Sequence, residues 1–159
     1  MTQDKALAPF AEATYLNVKG QVYTDFANDE RFIAATSVSA AGTGCITPLT
    51  MNTLAVGGSD WNYDPSALTG QRGITAASGL NNIGRLVSVC GRFAYVNHSS
   101  FVVSDGSGAP IKCVVPAGVA INPGWTHLYV TGISSCEKAG DKLQPLLLVR
   151  QQADIVALQ

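Results

Sequence analysis

Charge is scarce in this chain. Of its 159 residues, only 13% are Asp, Glu, Lys or Arg, about half the usual share. Lys and Arg number 10 and Asp and Glu 11, for a net charge of −1. So few cations cannot build a broad phosphate-binding surface, which argues against electrostatic binding of nucleic acid. Long apolar runs are missing too. No stretch reaches the roughly 18 consecutive apolar residues of a membrane helix. Residues 1–10 lack the apolar core of a secretory signal, so either the chain is not exported or its numbering begins on a processed or recombinant form. Histidine is limited to His98 and His127. The cysteines Cys45, Cys90, Cys113 and Cys136 show no metal-ligand spacing, which weakens zinc and iron–sulfur readings.

What is present is 47% hydrophobic residues, enough to exclude a disordered tail and to build one domain, or one domain with an extension. Runs rich in Val, Ile, Tyr, Phe and Thr, bounded by Gly, Pro, Asn, Asp or Ser, predict strands. They fall near residues 15–25, 31–38, 45–51, 85–96, 100–105, 110–115, 127–133 and 143–150. A helical turn is expected near residues 151–156 and a doubtful one at 4–12, where Pro9 interferes. Residues 57–84 have little periodicity and much Gly, Asn and Ser. They are too many for a turn and are expected to form an ordered loop pinned by Trp61, Tyr63, Leu68, Ile74, Leu80 and Ile83.

Residues 86–96 alternate cleanly. Val87, Val89, Gly91, Phe93 and Tyr95 form the expected core face, opposite Leu86, Ser88, Cys90, Arg92, Ala94 and Val96. Gly91 in mid-strand predicts a sharp bend. A bent strand, two more in a meander and two final strands suggest an all-β, OB-fold-like, five-stranded Greek-key barrel. The loop at residues 117–124 would replace the helix usual between its third and fourth strands.

A resemblance supports this. Pro48, Leu49 and Met51, Gly57-Gly58 with Asp60-Trp61-Asn62-Tyr63, Gly79-Leu80-Asn81-Asn82-Ile83-Gly84, Asp105-Gly106-Ser107-Gly108 and Thr131-Gly132-Ile133-Ser134-Ser135-Cys136-Glu137 follow one pattern. It resembles OB-fold modules of large exported bacterial proteins of unassigned role, over roughly 110 residues from Thr47 onward. The resemblance implies an extracellular location and no catalytic residues. Such modules usually follow another complete OB domain, and this chain departs there. Tyr15, Val18, Gly20, Val22 and Phe32-Ile33 echo Leu86, Val89, Gly91, Phe93 and Phe101-Val102, as though the first two strands of a barrel were present twice. The expected organisation is a hairpin extension at 1–56, an ordered loop at 57–84 and the barrel at 85–159.

Asp60, Asn62 and Asp64 place oxygen side chains at alternate positions, as calcium loops do, but Pro65 and Gln71 stand where such a loop needs Gly and a bidentate Glu. The alternative is an Asx-turn network shaping the loop. The outward positions of the second and third barrel strands, Ser100, Val102, Ser104, Lys112 and Val114, hold no aromatic and one cation. That makes single-stranded nucleic acid a poor partner there, while carbohydrate or peptide remains open. Ser99, Ser100, His98 and Asp105 lie close in sequence but suit a turn, and no catalytic motif stands out, so no enzyme is expected. The even cysteine count suggests two disulfides. By parity Cys90 points outward and Cys113 inward, so each would pair with Cys45 or Cys136, or one thiol would stay free.

An isolated hairpin with an apolar face needs a partner. It either folds back on its own barrel or completes the sheet of a neighbouring copy. The favoured expectation is a non-enzymatic extracellular protein that assembles with copies of itself by strand addition, into a filament or array. Tyr15, Leu16, Val18, Val22, Tyr23, Phe32 and Ile33 would form the interface.

Overall fold

The computed structural model describes residues 10–108 and 110–158. These are all-β. Strands β1 (Thr14–Asp25) and β2 (Glu30–Thr43) form an antiparallel sheet of two. The main sheet is mixed and has seven strands: β3 (Leu49–Thr50), β6 (Leu86–Asn97), β7 (Ser100–Ser104), β8 (Ile111–Val114), β9 (His127–Ala139), β10 (Lys142–Leu148) and β11 (Ile155–Leu158). Their order is β11-β9-β10-β8-β7-β6-β3, and β9 also pairs with β6. The pairings therefore run β6–β7–β8–β10–β9 and return to β6. Within that circuit β8–β10 is parallel and the rest antiparallel. A third small sheet, β4 (Trp61–Asp64) with β5 (Thr69–Gln71), sits inside the long loop.

Alternation builds the core. Val87, Val89 and Phe93 of β6, Phe101 and Val103 of β7, Ile111 and Cys113 of β8, Leu128 and Val130 of β9 and Leu147 of β10 are all buried together. Phe93 packs against Phe101 and, edge-on, against Trp125, with ring centroids 5.5 and 5.7 Å away. Each fully buried side chain of this size contributes about 1.5–3 kcal/mol.

Strand β6 changes partners midway. Leu86–Arg92 pair with β9 and Arg92–Asn97 with β7. The turnover sits at Gly91, where a Cβ would lie 2.5 Å from the carbonyl oxygen of Ser104. Only glycine allows that approach. Tyr95, expected in the core, is exposed. Beyond Arg92 the strand has no β9 neighbour, so its end runs past the core with β7 alone.

Several expected elements change extent. The strand foreseen at 45–51 shrinks to Leu49–Thr50, beside Pro48, while β9 runs six residues past the expected end because Ile133–Ala139 pair with β10. The turn near residue 151 is a 3-10 turn at Gln152–Asp154 leading into β11. The doubtful helix at 4–12 lies largely outside the described residues.

Of the six residues expected to pin the loop at 57–84, only Ile74 and Ile83 pack inward. Ile74 is buried with Cys136 and Leu143, and Ile83 packs against them. Trp61, Tyr63, Leu68 and Leu80 are exposed, Leu80 at 90%. Polar groups hold the loop instead. The buried Asn82 accepts hydrogen bonds at Oδ1 from the Gly57 amide (2.8 Å) and Ser134 Oγ (2.9 Å). Its Nδ2 donates to the carbonyls of Ala55 (2.7 Å) and Leu80 (3.2 Å). Gly58, at φ +65, passes so close to Leu80 that a Cβ would sit 2.1 Å from its carbonyl oxygen.

The two disulfides are not formed; all four cysteines are free. The register explains why. Cys90 faces Tyr129, Cys113 lies between Phe101 and Leu147, and Cys136 pairs with Pro145, so no two thiols meet across the ladders. The parity reading holds, with Cys90 exposed and Cys113 buried.

Candidate assembly interface

The β1–β2 hairpin places Val18 opposite Val38, Val22 opposite Ile33 and Tyr23 opposite Phe32, with register shifts at Tyr15/Leu16 and Lys19/Gly20. Tyr23 and Phe32 stack, with ring centroids 6.0 Å apart. Such cross-strand pairs stabilise a ribbon by tenths of a kcal/mol each and cannot replace a core. Neither strand has another strand beside it among the described residues, so both outer edges are unpaired by any ladder.

Of the seven expected interface residues, Tyr15, Val18, Val22, Tyr23 and Ile33 are exposed, Val22 at 56% and Ile33 at 52%. Leu16 and Phe32 are half-buried. Phe26 in the turn is 66% exposed and was not singled out from the sequence. It lines a cup of about 550 Å³ with Thr24, Asp25, Ala27, Glu30, Arg31 and Phe32.

The hairpin is fastened to the rest of the chain at its turn, and the fastening is polar. Arg72 Nη1 donates to Asp29 Oδ2 at 2.7 Å, and Lys138 Nζ lies 3.3 Å from the same carboxylate. The second guanidinium nitrogen of Arg72 reaches the Asp141 carbonyl at 2.7 Å. Gln71, itself buried, accepts at Oε1 from the Arg31 amide (2.8 Å) and donates from Nε2 to the Asp29 carbonyl (2.9 Å). Arg31 also donates to the Leu68 carbonyl. Ser135 Oγ donates to Glu30 Oε2 at 2.8 Å, and the Cys136 thiol to the Asn28 carbonyl at 3.2 Å. Burial pushes the Glu30 carboxyl up; the Ser135 bond opposes this and Asp25 adds to it. Burial, with the carboxylates of Glu30, Asp29 and Asp25, pushes the Cys136 thiol up to about 12 against the pull of Arg72. Sequence reasoning missed this cluster. Its signal was four charged residues, Asp25, Asp29, Glu30 and Arg31, within seven positions of a charge-poor chain.

The other expected sites resolve as follows. Asp60 Oδ1 accepts from the Gly73 amide at 2.7 Å, and Asp64 Oδ1 from the amides of Ser66 and Ala67 at 2.8 and 3.1 Å. The Asp64 bonds are those of an Asx turn, whereas the Asp60 bond crosses the loop. Asn62, at φ +45, lies between Asp60 and Asp64 in β4, where the register with β5 is irregular. The described residues contain no group of three or more His, Cys, Asp or Glu side chains placed to share a metal ion. Asp105 does not face His98 or Ser99. Its carboxylate accepts from the amide and hydroxyl of Thr53 (2.8 and 2.7 Å) and of Ser107 (2.9 and 2.7 Å). Desolvation works against its ionisation, but these bonds outweigh it and hold the carboxyl well below the usual carboxylate range. Of the five expected outward positions on β7 and β8, Ser100 is instead buried, and Val102 and Lys112 border a groove of about 490 Å³, closed by Thr75, Glu137, Leu143 and Pro145. Lys112 Nζ pairs with Glu137 Oε2 at 2.7 Å across it, and no aromatic side chain lines it.

Compared with known protein families and with curated proteins, the chain matches none.

Proposed function

We propose that this chain is a non-enzymatic structural protein whose copies join by β-strand addition, working outside the cell. One observation carries the reading: a hairpin of two long strands stands apart from the main sheet, with no further strand paired to either edge among the described residues and Val18, Val22, Tyr23 and Ile33 exposed along it. Long, apolar strand edges are the template on which another chain adds a strand. Backbone pairing supplies affinity and the alternating side chains supply register. The body that carries the hairpin fits an OB-fold barrel, since the pairings β6–β7–β8–β10–β9 return to β6 and β6 changes partners beside Gly91. The resemblance to modules of exported bacterial proteins supports the extracellular setting. A donor on one face of a subunit and an acceptor on another make a head-to-tail contact, which continues into a filament or array unless rotation closes it.

The test is direct. Val22→Lys combined with Ile33→Lys charges the exposed faces of both strands and should abolish association by light scattering and electron microscopy, with the melting temperature of the body retained. Deletion of residues 1–38 should do the same. If either protein assembles like the parent, the reading is overturned.

The groove over β7 and β8 favours a second reading, a monomeric module for carbohydrate or peptide, because Lys112 and Glu137 offer a charged pair over an apolar floor. A monomer whose melting temperature rises with added oligosaccharide or peptide would select it.

A further inference from the structure

The edge of β2 is not bare along its whole length. Gln71 lies against its first residues and does what the backbone of an added strand would do. The carboxamide accepts from the Arg31 amide at 2.8 Å and donates to the Asp29 carbonyl at 2.9 Å. A neighbouring strand engages alternate residues in the same way, through one N–H and one C=O of a single residue. Gln71 is buried and comes from β5, a strand of three residues that offers β2 a side chain and no ladder of its own. Asp29 fixes the arrangement. It holds Arg72 and Lys138 on its carboxylate and adopts φ +54, a left-handed conformation that Asp tolerates better than most residues.

We infer that Gln71, locked by the Arg72–Asp29–Lys138 ion pairs, is a built-in plug on the β2 edge that a strand from a second copy must displace before it can pair along the full hairpin. The inference rests on the strand-addition reading and adds its control. A hairpin held only by apolar packing would be costly to release. Displacing the plug breaks the two Gln71 bonds and loosens partly exposed ion pairs, contacts that water and salt replace, while the Ser135–Glu30 and Cys136–Asn28 bonds still hold the hairpin. The chain thereby guards the start of its own edge while leaving the Val22 and Ile33 region accessible, as proteins with exposed edges commonly do.

Gln71→Ala in the full chain tests this by two readouts. Amide hydrogen exchange at Arg31 should accelerate at least tenfold, while amides in the β6–β9 ladder keep their protection. Association followed by light scattering should become at least tenfold faster. Asp29→Asn, which keeps a residue suited to the left-handed turn but removes the charge, should move both readouts the same way by a smaller factor. It covers the case in which Gln71→Ala unsettles the loop, which a lowered melting temperature would reveal. If the parent associates and both variants, folded, associate at the parental rate, the plug is refuted and the strand-addition reading stands. If parent and variants alike stay monomeric, strand addition itself fails. Unaltered exchange at Arg31 in the folded Gln71→Ala protein also refutes the plug, because Gln71 is the group paired to that amide.

Discussion

The hairpin and the main sheet are made of the same kinds of residues and end in opposite situations. In the sheet, Val87, Val89, Phe101 and Leu147 are fully shielded from water, and each strand of the β6–β7–β8–β10–β9 circuit has neighbours on both sides. In the hairpin, Val22 and Ile33 face one another across a ladder of two strands and remain half in water. Alternation alone therefore does not decide burial. What decides it is whether a second layer of side chains arrives to cover the apolar face. In the main sheet side chains from five strands cover one another; the hairpin is fastened by polar groups at one end and leaves Val18, Val22 and Ile33 exposed.

Substitutions in the two regions should differ by an order of magnitude in stability. Phe101→Ala empties a site in contact with Phe93 and beneath no solvent, and should cost about 3–5 kcal/mol by denaturant unfolding. A value under about 1 kcal/mol would mean that the core is not where the structure places it. Next comes Asn82→Ala, which strands the Gly57 amide, the Ser134 hydroxyl and the Ala55 carbonyl. About 2–3 kcal/mol is expected, with faster proteolysis within residues 57–84. A loss confined to tenths would show that apolar anchors hold the loop after all.

The third test is one of pH. The Asp105 carboxyl is held below its ordinary value in the folded state. A depressed folded pKa means that its contribution is fully present above the unfolded value of about 3.9 and is lost as pH falls below it. Melting temperatures of Asp105→Asn should therefore fall less steeply below about pH 4 than those of the parent, and parallel slopes would count against the Thr53 and Ser107 bonds. The smallest effect belongs to the hairpin: Val22→Thr should change stability by no more than about 0.5 kcal/mol while weakening association measurably. A larger loss of stability would place Val22 in a buried environment and erase the contrast between the two regions.

Much of the main sheet was legible in the sequence, because Val87, Val89 and Phe93, and then Phe101 and Val103, alternate strictly and a half-buried strand has no other way to read. The second half of β9 was not. Ser134, Ser135 and Cys136 are small or polar and carry little β preference, and they are in a strand because β10 pairs with them. The loop failed for a related reason. Ile74 and Ile83 do anchor it, but Trp61, Tyr63, Leu68 and Leu80 are exposed, and Asn82 holds it through four hydrogen bonds whose partners lie as far away as Ser134. A side chain that works by satisfying distant backbone groups leaves no periodic trace. In the hairpin, five of the seven apolar residues named from the sequence are exposed, while Phe26 was not among them. The polar fastening could not be named in advance, since Asp29 meets Arg72 and Lys138 across 43 and 109 positions of chain.

Strand β9 is hydrogen-bonded along both flanks, to β6 on one and to β10 and β11 in succession on the other, and its last residues are also where Glu30, Asn28 and Asp29 take hold. A pull on the hairpin therefore reaches the body at two places, the end of β9 with the β10 ladder behind it and the Gln71–Arg72 corner of the long loop. The joint itself is the weaker part, and under tension it should part first and leave the body intact.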